Sequence, residues 1–281
     1  MSQTRPGSRL AAAGLLALPR WANRANQQLR YYLPTIIVFV TVLMGWELAV
    51  RVFNIQQFIL PKPTTILAAF QARSGELVHI GLFTLREALG GFIIGCSLGI
   101  LVALATSRWT TAREALMPFA IAANSVPIIA FAPVMNNWFG ITNPFSKMMI
   151  VAIIVFFPMM INTVRGLTLV DPAALELMRS YAATDFEILW KVRVPNSLPY
   201  LFNAFKVAST LSLIGAVVGE FFGGPRAALG VFITQEAAFF RFDNSWAAII
   251  IACALGIAFY LVILLFERMA MPWHASVRGQ E

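Results

Sequence analysis

The chain has 281 residues, of which 59% are apolar and only 12% charged; its mean hydropathy is +0.74 and its formal net charge is +8. Soluble domains carry about 25% charged residues, so this balance excludes an ordinary soluble enzyme and points to a polytopic membrane protein. The basic residues flank the apolar runs, where they set topology and do not form a nucleic-acid surface.

The first 32 residues contain Arg5, Arg9, Arg20, Arg24 and Arg30 and no acid. The short run "AAAGLLALP" within them lacks a small-residue cleavage pattern after it, so residues 1–33 read as a basic cytoplasmic tail, not a signal peptide. Six spans follow, at 34–52, 86–106, 116–138, 146–164, 198–220 and 246–266. Each suits the ~20 residues that cross a ~30 Å hydrocarbon core as a helix. No alternating strands suggest a barrel, so the fold class is all-α. With the amino terminus inside, Arg108, Arg113, Arg165, Arg179, Lys191, Arg193, Arg268 and Arg278 fall on the inner side, against Arg51, Lys62, Arg73, Arg86, Lys147, Arg226 and Arg241 outside. Together with the tail, the inner excess predicts that both termini are cytoplasmic.

In the first span, Glu47 and Arg51 stand four apart and can pair. The second span carries Gly91, Gly95 and Gly99 on one helix face, which lets a neighbouring backbone come close. Gly90 and Gly95 share the spacing of a phosphate loop, but Cys96 and Ser97 stand where Lys and Ser/Thr are required, so no nucleotide site is expected. The third span is interrupted by Pro118, Pro127 and Pro133 and holds Asn124, Ser125, Asn136 and Asn137. Interior proline frees a carbonyl, and such breaks are tolerated in a membrane where protein or a water-filled path satisfies the backbone. Asn124, Ser125, Pro127, Asn136 and Asn137 are therefore candidates for a translocation path, with Ser209 and Ser212 of the fifth span next in line. A kinked packing helix is the competing reading. Lys206 lies about two turns into the fifth span, within reach of the inner interface by snorkelling; the competing reading is a positive charge for an anionic substrate. Glu220 closes that span and is expected to stay wet. Position 259, in the sixth span, is expected to face lipid.

Between the fourth and fifth spans lies "ELMRSYAATDFEILWKVRVPNSLP", from Glu176 to Pro199, too long and too charged for a turn. Asp171-Pro172 reads as a helix start. Thr184 and Glu187 form a capping box for a second short helix, so a break falls near Ala182–Ala183. Phe186, Leu189 and Trp190 share a face of that helix. The result is a helical hairpin with a small-residue corner, suited to docking into a soluble partner.

This segment resembles the EAA loop of type I ABC importer permeases. Glu176 matches the acid, Ala182 stands where glycine is expected, Leu177 and Met178 replace two alanines, and Val194-Pro195 replaces Leu-Pro. An alanine at 182 implies an ordinary backbone conformation there. "ILPKPTTILAAF", "ANSVPIIAFAPVMNNWFG", "FFPMMINTVRGL" and "GAVVGEFFGG" recur in the order seen in the nitrate/sulfonate/taurine-type permeases, so the likeness covers nearly the whole chain beyond residue 33. It implies a type I ABC importer permease fold in a bacterial inner membrane, with 34–79 as first helix and outer segment, 80–266 as permease core and 267–281 as a cytoplasmic tail. It implies a second copy of the chain, two copies of a cytoplasmic ATPase that binds ATP and Mg, and an extracytoplasmic substrate-binding protein. Glu176, Arg179, Ala182, Ala183, Thr184, Asp185, Phe186, Glu187 and Pro195 would form the ATPase-coupling loop. The chain itself would hold no cofactor and no catalytic residue. "NNWFG" and "FFPMMINT" look most like members that import riboflavin or pyrimidine thiamine precursors; sulfonate, taurine and nitrate are the other substrates implied. The alternative is an ion-coupled secondary transporter. That rival wants acids inside the membrane, and only Glu47 lies well within a predicted span.

Cys96 and Cys253 sit in separate apolar runs, and His79 and His274 lack an acidic cluster, so neither a disulfide nor a metal site is expected.

Overall fold

A computed structural model describes residues 20–107 and 109–272, with side chains from residue 33 onward except those of 110, 112 and 128. The side chains of the basic tail, Arg108, His274 and Arg278 lie outside the described residues. The elements run α1 (Arg20–Val52), α2 (Pro63–Ser107), α3 (Thr110–Asn124), α4 (Ala132–Phe139), α5 (Pro144–Thr168), α6 (Pro172–Ser180), α7 (Asp185–Ile188), α8 (Val194–Phe221), α9 (Leu229–Ala238) and α10 (Phe242–Ala270). Five stretches are long and apolar enough to cross a membrane, and α3 with α4 makes a sixth if the bent pair counts as one span. No strand occurs among the described residues.

The chain divides into two units, residues 1–64 and 65–281. In the first, the apolar part of α1 is Leu33–Val52, and Ile36, Val38, Phe39, Val42 and Met44 are exposed, as a lipid-facing helix requires. Near its end Glu47 pairs with Arg51 at 2.6 Å and accepts hydrogen bonds from the Thr64 amide and hydroxyl. The carboxylate thus fixes the return of the chain after α1.

In the second unit α5 is the central element. Lipid is as apolar as leucine, so helices there are held by close fit and by polar satisfaction, not by a hydrophobic gradient. Gly91, Gly95 and Gly99 of α2 meet α5: a Cβ at Gly91 would strike Val151 and the Met148 carbonyl, and one at Gly95 would strike the Ala152 carbonyl and Val155. On the other face α5 packs against α8, where a Cβ at Gly215 would meet Ile154. Ala88, Cys96, Val151, Val155, Met159, Ala204, Ala208 and Ala216 form the shared core. Phe92 closes it, with the Phe259 ring at 5.0 Å and the Phe205 ring at 5.8 Å. Phe259 is therefore core, not lipid-facing: it sits on the same side of α10 as Ile263, while Ile257 and Leu261 are exposed.

Two further expectations change. Lys206 does not snorkel to water; its Nζ lies 3.0 Å from both carboxylate oxygens of Glu267, bridging α8 to the end of α10. The third predicted span is not one kinked helix. α3 stops at Asn124, a 3-10 turn covers Ile128–Phe131, and α4 continues after a bend of 77°. Pro127 precedes that turn and Pro133 stands in the first turn of α4, where a missing N–H costs nothing.

Gly95→Leu should drive α2 off α5 and lower thermal stability in detergent by about 1–3 kcal/mol, the range for overpacking; a variant as stable as the parent would contradict this packing. Lys206→Met should destabilise through the buried Glu267 left behind, toward the lower end of the about 3–5 kcal/mol known for such pairs, because Lys206 keeps 20% of its side chain exposed. The double variant Lys206→Met/Glu267→Leu should recover much of that loss, read by the same melting measurement.

Candidate functional site

The hairpin between α5 and α8 is built from its caps. Asp171 accepts from the Ala173 amide at 2.9 Å, with Pro172 opening α6. Thr184 accepts from the Glu187 amide at 3.3 Å, and Glu187 accepts from the Thr184 amide at 3.0 Å, so both halves of a capping box are present. Lys191 adds an ion pair to Glu187 at 3.1 Å. A π-helical turn, Leu189–Arg193, carries the chain into α8, where Pro195 occupies the first turn.

Between the two helices the chain turns at Ala182, whose φ is +52°. The expectation of an ordinary backbone conformation there is corrected: alanine adopts the left-handed geometry that glycine takes freely. The turn is closed by the Ala182 amide to the Arg179 carbonyl at 2.9 Å and the Ala183 amide to the Met178 carbonyl at 3.0 Å. These bonds satisfy the last carbonyls of α6, which otherwise have no partner.

The hairpin is mounted firmly. The Asn196 side-chain amide donates to the Gly166 and Leu169 carbonyls at 2.8 and 2.9 Å, tying the start of α8 to the end of α5. A Cβ at Gly166 would meet Ser197, so the two backbones touch there. Arg193 reaches the Ser107 carbonyl at the end of α2 at 3.5 Å. Ile188 is buried, and a cavity of about 200 Å³ lined by Leu104, Ser107, Arg179, Phe186 and Arg193 lies beside it. Beyond this base, Tyr181, Phe186 and Trp190 stand 75%, 70% and 53% exposed, with the Phe186 and Trp190 rings 6.1 Å apart. Glu176, Arg179, Asp185 and Pro195 are exposed as well. Exposed aromatic and arginine side chains are the composition of protein interfaces.

The polar residues of the broken third span and of α8 do not form one lining. Asn124, Ser125 and Pro127 are exposed at the bend and Asn137 is exposed in the last turn of α4, while Asn136 beside it is buried. Its amide donates to the Phe222 carbonyl at 3.2 Å, and its oxygen accepts from Ser146 and Lys147 at 3.0 Å each. Ser209 and Ser212 are buried and donate to the Lys206 and Ala208 carbonyls of their own helix.

At the end of the bundle away from the hairpin is a cluster that the sequence reading missed. Lys147, assigned there to an outer loop, and Glu220, expected to stay wet, are both fully buried, as is Glu87. The Lys147 ammonium donates to Asn136 and to the Ile141 carbonyl. Glu220 accepts from the Thr84 hydroxyl at 2.8 Å and from the Gly230 amide at 2.6 Å. Thr84 in turn accepts from the Leu229 amide at 2.9 Å. The first turn of α9 is thereby held by Glu220 and Thr84, which supply acceptors for its free amides. The signal was available: Glu87 lies one helical turn before Gly91, on the glycine face.

No group of three or more His, Cys, Asp or Glu side chains that could hold a metal occurs among the described residues. By length and composition the chain has the helices of a polytopic membrane protein. Residues 95–271 match the family described as binding-protein-dependent transport system inner membrane component, and the chain belongs to it. It is 31% identical to the riboflavin transport system permease protein RibX of Chloroflexus aurantiacus over 266 residues, 93% of this chain and 98% of that one. It is 30% identical to the formylaminopyrimidine transport permease protein ThiX of Halalkalibacterium halodurans over 241 residues, 85% of this chain and 95% of that one. A crystal structure of an amino acid ABC transporter with histidines shares the fold, with a TM-score of 0.58 at 16% identity, covering 72% of this chain and 97% of that chain. The chain is thus the permease component of an ABC importer, a multi-pass membrane protein whose ATPase is a separate subunit.

Ala182→Gly should relieve the turn and protect the hairpin from limited proteolysis by roughly 0.5–1 kcal/mol. Ala182→Val, a β-branched residue at positive φ, should have the opposite effect; equal protection of all three proteins would mean that residue 182 is not left-handed.

Proposed function

We propose that this permease forms a homodimer in a bacterial inner membrane, with both termini in the cytoplasm, and that the hairpin at residues 171–195 receives two cytoplasmic ATPase subunits while an extracytoplasmic binding protein delivers solute to the opposite face. The observation that carries the reading is the mounting of the hairpin: exposed Tyr181, Phe186 and Trp190 on a base bonded to the ends of α5, α8 and α2. A partner that binds the exposed side chains therefore acts on three transmembrane helices together.

In this mechanism ATP binding draws the two ATPases together, and each hairpin follows as a rigid lever. The force passes through Asn196 and Arg193 and through the contact of Gly166 with Ser197. The broken α3–α4 span, with Asn124, Ser125 and Pro127 at its bend and Asn137 near the end of α4, lines the route that changes its access. The permease core is 80–266, with 34–79 and 267–281 flanking it. ATP and Mg are held by the partner, and the chain's own residues carry only binding and motion. RibX and ThiX, which carry riboflavin and formylaminopyrimidine in their names, favour a flat nitrogen heterocycle as solute, with aliphatic sulfonate, taurine or nitrate as the alternatives.

Phe186→Asp should abolish co-purification of the cognate ATPase while the permease remains membrane-inserted; undiminished capture together with undiminished uptake would remove the docking role. For the path, Cys96 and Cys253 are first replaced by Ala. Ser125→Cys should then react with a small water-soluble thiol reagent at a rate that changes when ATP is bound. Leu261→Cys, on the exposed face of α10, is the inert control; equal inertness at 125 in every nucleotide state would move the route elsewhere.

A further inference from the structure

Two arginines line the cavity at the base of the hairpin, Arg179 of α6 and Arg193 of the π-helical turn. Neither is fully engaged by the protein. Arg193 spends one of its five N–H donors on the Ser107 carbonyl, at 3.5 Å. Arg179 makes no hydrogen bond or ion pair with a described residue. The third charged residue of the lining is Asp185, at the start of α7, whose carboxylate is likewise unpaired among the described residues. Two cations and one anion leave one positive charge at a space of about 200 Å³. A water takes up ~30 Å³, so the space admits a phosphate with part of its ester substituents.

The rest of the lining distinguishes between sources of that phosphate. Leu104, Leu175, Phe186 and Leu189 are apolar walls, which a free inorganic anion does not need. Leu104 and Ser107 stand in the last turn of α2, where a membrane span ends. Trp109 just beyond is 59% exposed, as tryptophans at the membrane–water interface are. The cavity therefore lies at headgroup depth. Leu98, Leu101 and Ala105 are exposed along one face of α2, and Leu101 is one turn from Leu104, so the lipid-facing stripe of the helix leads up to the cavity. Asp185 repels a phosphate dianion and can accept from a headgroup hydroxyl. A phosphodiester carries a single negative charge and cancels the surplus.

We propose that this cavity binds the headgroup of one anionic phospholipid from the leaflet on the hairpin side, with Arg179 and Arg193 on the phosphodiester, Asp185 on a headgroup hydroxyl, and the acyl chains running along Leu101 and Leu98 of α2. Basic pockets beside transmembrane helices recognise phospholipid headgroups in this way. The bound lipid ties α6 to the end of α2 and so belongs to the mounting of the hairpin. Only the naming of that leaflet as the inner one rests on the orientation proposed above.

The test uses the purified full-length permease without its ATPase, so a failure of the docking reading leaves it unaffected. The delipidated protein in detergent is titrated with phosphatidylglycerol, with phosphatidylcholine and with inorganic phosphate. Bound lipid is counted by native mass spectrometry, and melting is followed in parallel. One phosphatidylglycerol per chain should bind in preference to phosphatidylcholine, raise the melting temperature and resist displacement by phosphate. Arg179→Gln, which breaks no bond to a described residue, should weaken that binding about fivefold. Leu104→Trp, which keeps both arginines and fills the space, should abolish it. Equal binding of the two lipids by the wild type overturns the proposal. Displacement of phosphatidylglycerol by inorganic phosphate at equal concentration overturns it in favour of a free anion. Binding unchanged in Arg179→Gln overturns it too, and loss of ATPase capture by that variant would then give the arginine to the protein partner.

Discussion

The close approach of α2 and α8 to the two faces of α5 is the constraint on which the second unit depends. It is set by absence of side chain: at Gly91, Gly95 and Gly215 even a Cβ would meet the neighbouring helix. In lipid such contacts do what apolar burial does in water, because dispersion between well-fitted surfaces is what distinguishes protein from solvent there. The same closeness explains why polar groups collect at the two ends of α5. Backbones this near leave no room for water, so any polar side chain at the seam must find a protein partner.

At one end the seam is closed by Asn196 on the Gly166 and Leu169 carbonyls; at the other by Lys147, Asn136 and the pair Glu87 and Glu220. Between them lies an apolar core with few hydrogen bonds to break. A helix held by polar groups at both ends and by shape between them moves as a body. That is the property the hairpin needs if it is to pass motion across the membrane, because a flexible mount would absorb it locally.

Most of this architecture was legible in the apolar runs. The spans at 34–52, 146–164, 198–220 and 246–266 fall within α1, α5, α8 and α10, because a ~20-residue apolar helix is the simplest way to cross lipid. The caps at Asp171 and Thr184 were legible too, since cap chemistry is local in sequence. What was not legible depended on neighbours. Lys147 looked like a loop cation because only the fold brings Asn136 and the Ile141 carbonyl to it. Phe259 looked like a lipid residue because Phe92, its partner, is far away in the chain. Ala182 misled for a different reason: residue identity alone argued for an ordinary backbone, and the turn between two capped helices overrode it. The argument against an ion-coupled transporter also loses one support, since Glu87 and Glu220 are acids buried in transmembrane helices. Family membership and the mounted hairpin, not the lack of buried acids, carry the ATP-driven reading.

The most direct test of that reading is uptake into proteoliposomes containing this permease with its ATPase and binding protein, following the solute that the binding protein carries. Uptake should require ATP on the hairpin side and should persist when ionophores collapse every ion gradient. Accumulation driven by an ion gradient with no ATP present would contradict the account.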